Sequence, residues 1–267
     1  MNVSYYNRMT QKFAAEVRER APLVHCLTNL VVTNFTANVL LAIDAAPAMV
    51  TAEEETEEFA RIADALLINL GTLDSYQIAA MRRAIAGACS ARKPWILDPI
   101  TAGLSFRMTV AREFLEQGPA VVRGNASEII ALADSGYVAV KGVESLACVQ
   151  DAQDAARYLA QSYNTVVAVS GETDFISDGK QDFLIEGGHP LMTKVTGVGC
   201  ALNAVIAAYS AFSDDYLAAT VAAFNLFGTV GRFAAEKAQG AGSFAVFFLD
   251  ELTVYGRADT KEAGVIL

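Results

Sequence analysis

Residues 195–212, VTGVGCALNAVIAAYSAF, decide how the rest of the chain is read. Two glycines and a cysteine open an uncharged stretch with the character of a buried helix. Consecutive backbone N–H groups of Gly197, Val198, Gly199 and Cys200 at such an entrance form a cradle for an anion, and the helix dipole adds to it. The loop lacks the lysine of a Walker A motif. It also lies late in the chain, not after the first strand where a dinucleotide fingerprint belongs. A GxG turn alone is equally the start of an ordinary helix with a buried cysteine, so the deciding context lies upstream.

Upstream, short apolar runs alternate with longer helical patterns. Strands are expected at 22–28 (PLVHCLT), 47–50 (PAMV), 65–71 (ALLINLG), 93–99 (KPWILDP), 120–124 (AVVRG) and 165–171 (TVVAVSG), with a weaker one at 137–142 (YVAVKG). Helical patterns occupy 33–44, 53–64, 75–91, 125–133 and 144–163. Strands followed by helices of this length imply βαβ units and a parallel sheet. At 175–188, FISDGKQDFLIEGG reads as a hairpin turning at Asp178-Gly179, and helical patterns then continue to 243–256. No linker or repeat interrupts the 267 residues. The expectation is one α/β domain over 1–267, a doubly wound, mostly parallel sheet flanked by helices.

Composition narrows the function classes. Apolar residues make up 53% and charged residues 19%, which describes a packed globular chain. A net charge of −10 argues against broad nucleic-acid or anionic-membrane surfaces, although a local positive field still serves a small anion. Four dispersed cysteines without CxxC and only two histidines argue against a zinc site and a disulfide framework. The first twenty residues carry charges throughout and no secretory apolar core, so a cytoplasmic protein is expected. The uncharged run from Val195 to Ser213 begins with a glycine turn and carries Asn203 and Tyr209, as a buried core helix does. The mean hydropathy of +0.31 is high for a monomer and fits a subunit interface.

In doubly wound sheets, ligands gather at the carboxyl ends of the strands. Those ends here carry His25, Cys26, Thr28 and Asn29, then Met49, Asn69 and Gly71, then Asp98, Arg123, Asn125, Glu128 and Ser170. Asn125 or Ser127 is suited to cap a helix with Glu128 in its first turn. Equally, Glu128 can hold a Mg²⁺-bound water and Arg123 can meet a nucleotide phosphate. Asp98 before Pro99 is a turn residue or a carboxylate for Mg²⁺. Cys26 and Trp95 are expected in the core, His189 in a structural loop role, and the acidic run at 53–58 at a solvated helix start.

NxxE after a strand, followed some seventy residues later by a glycine turn into an apolar helix, resembles the ribokinase-like kinases. PLVHCLTN (22–29), ANVLLAI (37–43), PAMV (47–50), LLINLGTL (66–73), LDP (97–99), RGNASEI (123–129) and PLMTKVTGVGCAL (190–202) resemble the hydroxyethylthiazole kinase family. The likeness runs in order from about residue 20 to GSF at 242–244. It implies a ribokinase-like fold, ATP-dependent phosphorylation of 4-methyl-5-(2-hydroxyethyl)thiazole in thiamine salvage, and a homotrimer with active sites between subunits.

The resemblance also implies roles. Met49, His25 and Asn29 line the thiazole pocket, while Gly197 and Cys200 face its hydroxyl. Arg123, Ser170, Asn125 and Gly199 serve ATP, with Asp98 and Glu128 in the Mg²⁺ shell. Ser170 stands where the family often has Thr and keeps the hydroxyl. Relatives with GxGD carry an aspartate base at the position of Cys200, and a helix N-terminus can lower a thiol's pKa toward that role. Another alcohol kinase of the same fold, acting on hydroxymethylpyrimidine, pyridoxal or a sugar, and a non-catalytic ligand-binding relative are the alternatives.

Overall fold

The structure, a computed structural model, describes residues 3–100, 104–133 and 149–255. The order of elements is α1 (Val3–Arg20), β1 (Leu23–Leu27), α2 (Thr33–Ala42), β2 (Ala46–Ala48), α3 (Glu53–Ile62), β3 (Ala65–Asn69), α4 (Ser75–Ser90) and β4 (Trp95–Asp98). There follow α5 (Ser105–Leu115), β5 (Val121–Asn125), α6 (Ala126–Ala133), α7 (Val149–Tyr163), β6 (Val166–Ser170), β7 (Thr173–Ser177) and β8 (Asp182–Glu186). A 3₁₀ turn (Pro190–Lys194) leads into α8 (Val198–Ser210), α9 (Tyr216–Lys237) and α10 (Ala241–Tyr255).

All eight strands form one sheet in the order β2-β1-β3-β4-β5-β6-β7-β8. The pairs from β2 through β6 are parallel, and β7 and β8 add antiparallel hairpins at one end. The central runs are apolar without alternation because both faces are covered. Val24, Cys26, Leu67, Ile96, Val121 and Ala168 point into a core shared with α1, α2, α8, α9 and α10. Their neighbours Leu66, Ile68, Trp95, Leu97, Val122 and Val167 point into a second core against α4, α5, α6 and α7. Successive side chains on a strand face opposite ways, so each central strand feeds both layers.

Six of the expected strands occur within two residues of their expected ends, and the hairpin turns where Asp178-Gly179 marks it. The expected strand at 137–142 and the start of the helix at 144–163 lie outside the described residues. PAMV is displaced: β2 covers only Ala46–Ala48, leaving Met49 and Val50 beyond it. Pro47 is accommodated there because β2 is an edge strand, where a missing N–H leaves no ladder bond unmade. The β6–β7 hairpin, joined through Gly171 and Glu172, is an addition that its polar sequence concealed. In α8, every residue from Ala201 to Ser210 is buried. By length and composition α9 could cross a bilayer, but 72% of its most apolar window is buried inside the fold.

The strand order places β2 to one side of β1 and β3 to the other. The loops after β1 and β3 therefore leave in opposite directions and open a crevice at their carboxyl ends. The entrance to α8 lies over that crevice.

Candidate active site

The α8 entrance is built by Gly197. It is the N-cap residue, with φ of 96°, a left-handed conformation that disfavours a side chain. A Cβ there would also stand 3.0 Å from Val32 Cγ1. The Gly197 carbonyl accepts the first helical bond from the Ala201 N–H at 2.8 Å, and no side chain caps the turn. The N–H groups of Val198, Gly199 and Cys200 are thus the orphan donors of a helix start, available to an anion.

Beneath the turn lies a buried amide and carboxyl network. Asp98, at the end of β4, is 1% exposed, and its Oδ2 accepts from Asn69 Nδ2 at 2.6 Å and from Asn203 Nδ2 at 2.7 Å. Asn69 Oδ1 accepts from Asn29 Nδ2 (3.1 Å) and from the Gly71 N–H (2.9 Å). Asn29 Nδ2 also reaches Cys200 Sγ at 3.7 Å, linking the first strand's loop to α8. A Cβ on Gly71 would come within 2.6 Å of Asn29 Cβ, so only glycine allows this approach. Burial raises the Asp98 carboxyl to about 7; Arg123 opposes this, and the Glu128 charge adds to it.

Cys200 departs from expectation. Its thiol is pushed up to about 11, first by burial and then by the Asp98 charge. The helix terminus therefore does not yield a ready thiolate, and at neutral pH the group is a neutral thiol beside an amide donor.

On the other side of α8, Arg123 in β5 donates through Nη2 to Ser170 Oγ at 2.6 Å and through Nη1 to the Gly199 carbonyl at 3.2 Å. Ser170 Oγ in turn reaches the Gly124 carbonyl at 3.3 Å. Asn125 and Glu128 form a reciprocal cap on α6: Asn125 Oδ1 accepts from the Glu128 N–H (3.0 Å), and Glu128 Oε2 accepts from the Asn125 N–H (2.8 Å). Asp174, which the sequence reading passed over, accepts from the Gly171 N–H at 3.0 Å. Its carboxyl is raised to about 6 by burial, partly offset by that bond and by Arg123.

The crevice is a cleft of about 330 Å³ lined by Asn29, Val32, Gly71, Arg107, Gly197 and Cys200, among others. His25 does not reach it. It is fully buried in β1, with Nε2 donating to the Val50 carbonyl at 2.7 Å and its ring edge-on to Phe59. Its position supports the segment after β2 from behind. Met49, half-buried, packs against the core of which α2 and α8 form part. Cys26 and Trp95 are buried as expected, and His189 Nδ1 caps the 3₁₀ turn by accepting from the Leu191 N–H.

Asn203 and Arg107 escaped the sequence reading. Asn203 looked like one polar residue in an apolar helix; a buried amide there signals a partner, but not which one. Among the described residues, no three His, Cys, Asp or Glu side chains converge as a self-sufficient metal site. Asp98 and Glu128 do feel each other's charge. Two carboxylates completed by water and substrate phosphates match the coordination habit of Mg²⁺, and a buried carboxyl raised by desolvation gains from a cation.

Comparisons with known proteins identify the family. The sequence model of the hydroxyethylthiazole kinase family matches residues 14–256. A hydroxyethylthiazole kinase of Leptospira interrogans (serovar Lai) is 50% identical over 243 residues, covering 90% of this chain and 91% of that one. The structure of a hydroxyethylthiazole kinase from Pyrococcus horikoshii OT3 superposes with a TM-score of 0.84 at 40% identity, over 94% of this chain and 97% of that one. A ribokinase-like superfamily protein of Enterococcus faecalis V583, at 15% identity and TM-score 0.65 over 92% and 94% of the two chains, shares the fold. The chain belongs to the hydroxyethylthiazole kinase family.

Proposed function

We propose that this protein phosphorylates the hydroxyl of 4-methyl-5-(2-hydroxyethyl)thiazole with ATP, a salvage step toward thiamine. Family membership supports the reaction, and one observation carries the mechanism: the uncapped start of α8 meets the cleft beside Cys200 and above Asp98. In the reaction, the alcohol oxygen bonds to the γ-phosphorus as the bridging P–O bond to ADP breaks, and the alcohol's proton passes to solvent water once the new bond has formed. Phosphoryl transfer through a loose transition state asks for alignment and charge stabilisation more than for a strong base.

The roles follow from the chemistry available. The N–H groups of Val198, Gly199 and Cys200 receive the charge that spreads over the equatorial oxygens. Cys200, as a neutral thiol, orients the hydroxyl, and its proton is lost late. Arg123 and Ser170, with Asn125 at the α6 start, serve the nucleotide phosphates. Asp98 and Glu128 would hold Mg²⁺, which when bound supplies neutralising charge to the phosphates. Met49 and Asn29 serve the acceptor, and His25 acts on it only through the Val50 segment.

The proposal includes a homotrimer. Val31, 68% exposed, lines the cleft and its chain neighbour Leu30 is 72% exposed; large apolar side chains so placed suit a neighbouring subunit that closes the pocket. A cytoplasmic enzyme with no nucleic-acid or membrane partner fits the acidic surface.

ADP release from Mg·ATP is the test, with the thiazole alcohol compared against hydroxymethylpyrimidine, pyridoxal and ribose. Turnover with the thiazole alone is expected, and Cys200→Ala should lower kcat about fivefold, the worth of one hydrogen bond near 1 kcal/mol. Turnover with another alcohol alone would overturn the acceptor assignment. Silence with all four would make the protein a binding relative.

A further inference from the structure

Among the described residues that line the cleft, Arg107 alone carries a formal charge. It is the third residue of α5, half-buried, and its Nη1 donates to the carbonyl of Leu70 just beyond β3. The fork is therefore anchored on the acceptor side of the site. An arginine presents five N–H donors in a rigid plane, matched to phosphate oxygens more than to a neutral hydroxyl.

A thiazole alcohol is neutral, and nothing in it calls for a permanent cation. The reaction, however, leaves a phosphate ester in this cleft, within a chain of net charge −10 and above the carboxyl of Asp98. Arg123 does not line the cleft; its guanidinium is bonded to Ser170 and to the carbonyl of Gly199. The phosphate that arrives on the acceptor thus meets one cation among the described residues of the cleft walls.

We propose that Arg107 is the acceptor-side phosphate contact: it binds the phosphoryl group as it reaches the alcohol and holds the product ester. The assignment rests on the kinase reading given above. It separates two cations by task, Arg123 for the nucleotide and Arg107 for the transferred group.

The experiment measures binding of the thiazole alcohol and of its phosphate ester to the full-length protein by titration calorimetry, without nucleotide, at two salt concentrations. For Arg107→Gln, affinity for the alcohol should stay within about twofold of wild type. Affinity for the ester should fall about ten- to a hundredfold, as loss of a charged hydrogen bond predicts. Ester binding to wild type should weaken with salt, and this dependence should shrink in the variant. Arg107→Lys keeps the charge without the fork and should lose less; it also serves as the reading if the glutamine variant does not fold. Equal losses for alcohol and ester would reduce Arg107 to a packing residue and overturn the proposal, as would unchanged ester binding. Wild-type protein that binds neither compound would overturn the acceptor assignment itself, a result separate from any difference between variants.

Discussion

The two sides of the α8 entrance treat their charged groups differently. On the nucleotide side, the charged groups near the β5 and β6 ends have partners within the fold: Arg123 with Ser170 and Gly199, Glu128 with the Asn125 N–H, Asp174 with the Gly171 N–H. Much of that surface is half-buried or exposed. On the acceptor side, one carboxyl sits at 1% exposure and is held by amides from β3 and α8, with the Asn203 Oδ1 beside it buried and lacking a hydrogen-bond partner. The first side is organised in advance, although Arg123 Nε is buried without a hydrogen-bond partner and burial raises the Asp174 carboxyl. The second carries a buried carboxylate, costly unless a cation or substrate compensates it. On the proposed assignment, the acceptor side trades stability for chemistry.

Replacing Asp98 attacks this contrast most directly. Asp98→Asn keeps the shape and one acceptor for the Asn69 and Asn203 amides but removes the charge. On the proposal that Asp98 holds Mg²⁺, whose charge would supply several kcal/mol of transition-state stabilisation, kcat should drop about a thousandfold or more. The thermal midpoint should rise, since a desolvated charge is gone. Calorimetric melting alongside the kinase assay checks both, and a variant that is inactive and also less stable would refute the trade.

Arg123→Gln probes the other side. The apparent affinity for ATP should fall about ten- to a hundredfold, the worth of a charged hydrogen bond, with the KM for the thiazole nearly unmoved. Initial rates over a grid of both substrates give this separation directly. A drop confined to the thiazole would erase the division of labour.

The smallest effect concerns His25. Burial lowers its pKa below the ordinary 6.5, against the favourable bond to the Val50 carbonyl. The folded state therefore holds the imidazole neutral, while the unfolded chain takes up a proton near pH 6.5. Stability from this residue is full above that pH and is lost as pH falls below it, by at most about 1.4 kcal/mol per pH unit for one proton. Asp98 and Asp174, raised by burial, gain stability as pH falls over the same range, so the His25 contribution is read as the difference in melting between wild type and His25→Gln, whose amide can still reach Val50, from pH 7.5 to 5.

What the amino-acid sequence determined by itself was everything carried by local pattern. Continuous apolar runs ending in Asn, Asp-Pro or Gly marked the strands, since a strand covered on both faces needs no polar alternation. The glycine turn at 197–199 marked an anion-ready helix start, and Asn125 with Glu128 marked the cap of α6, because these depend on residues only a few positions apart. Motif likeness also identified the family. Tertiary structure decided what depends on distant partners. Asn203 meets Asp98 across 105 positions and Cys200 meets Asn29 across 171, and no periodicity encodes such pairings. The same holds for protonation: desolvation depends on what surrounds a group in space, so the fold alone raised the Cys200 thiol where its helix-terminal position suggested the opposite. Folding likewise withdrew His25 behind Val50 and set Arg107 in the cleft wall.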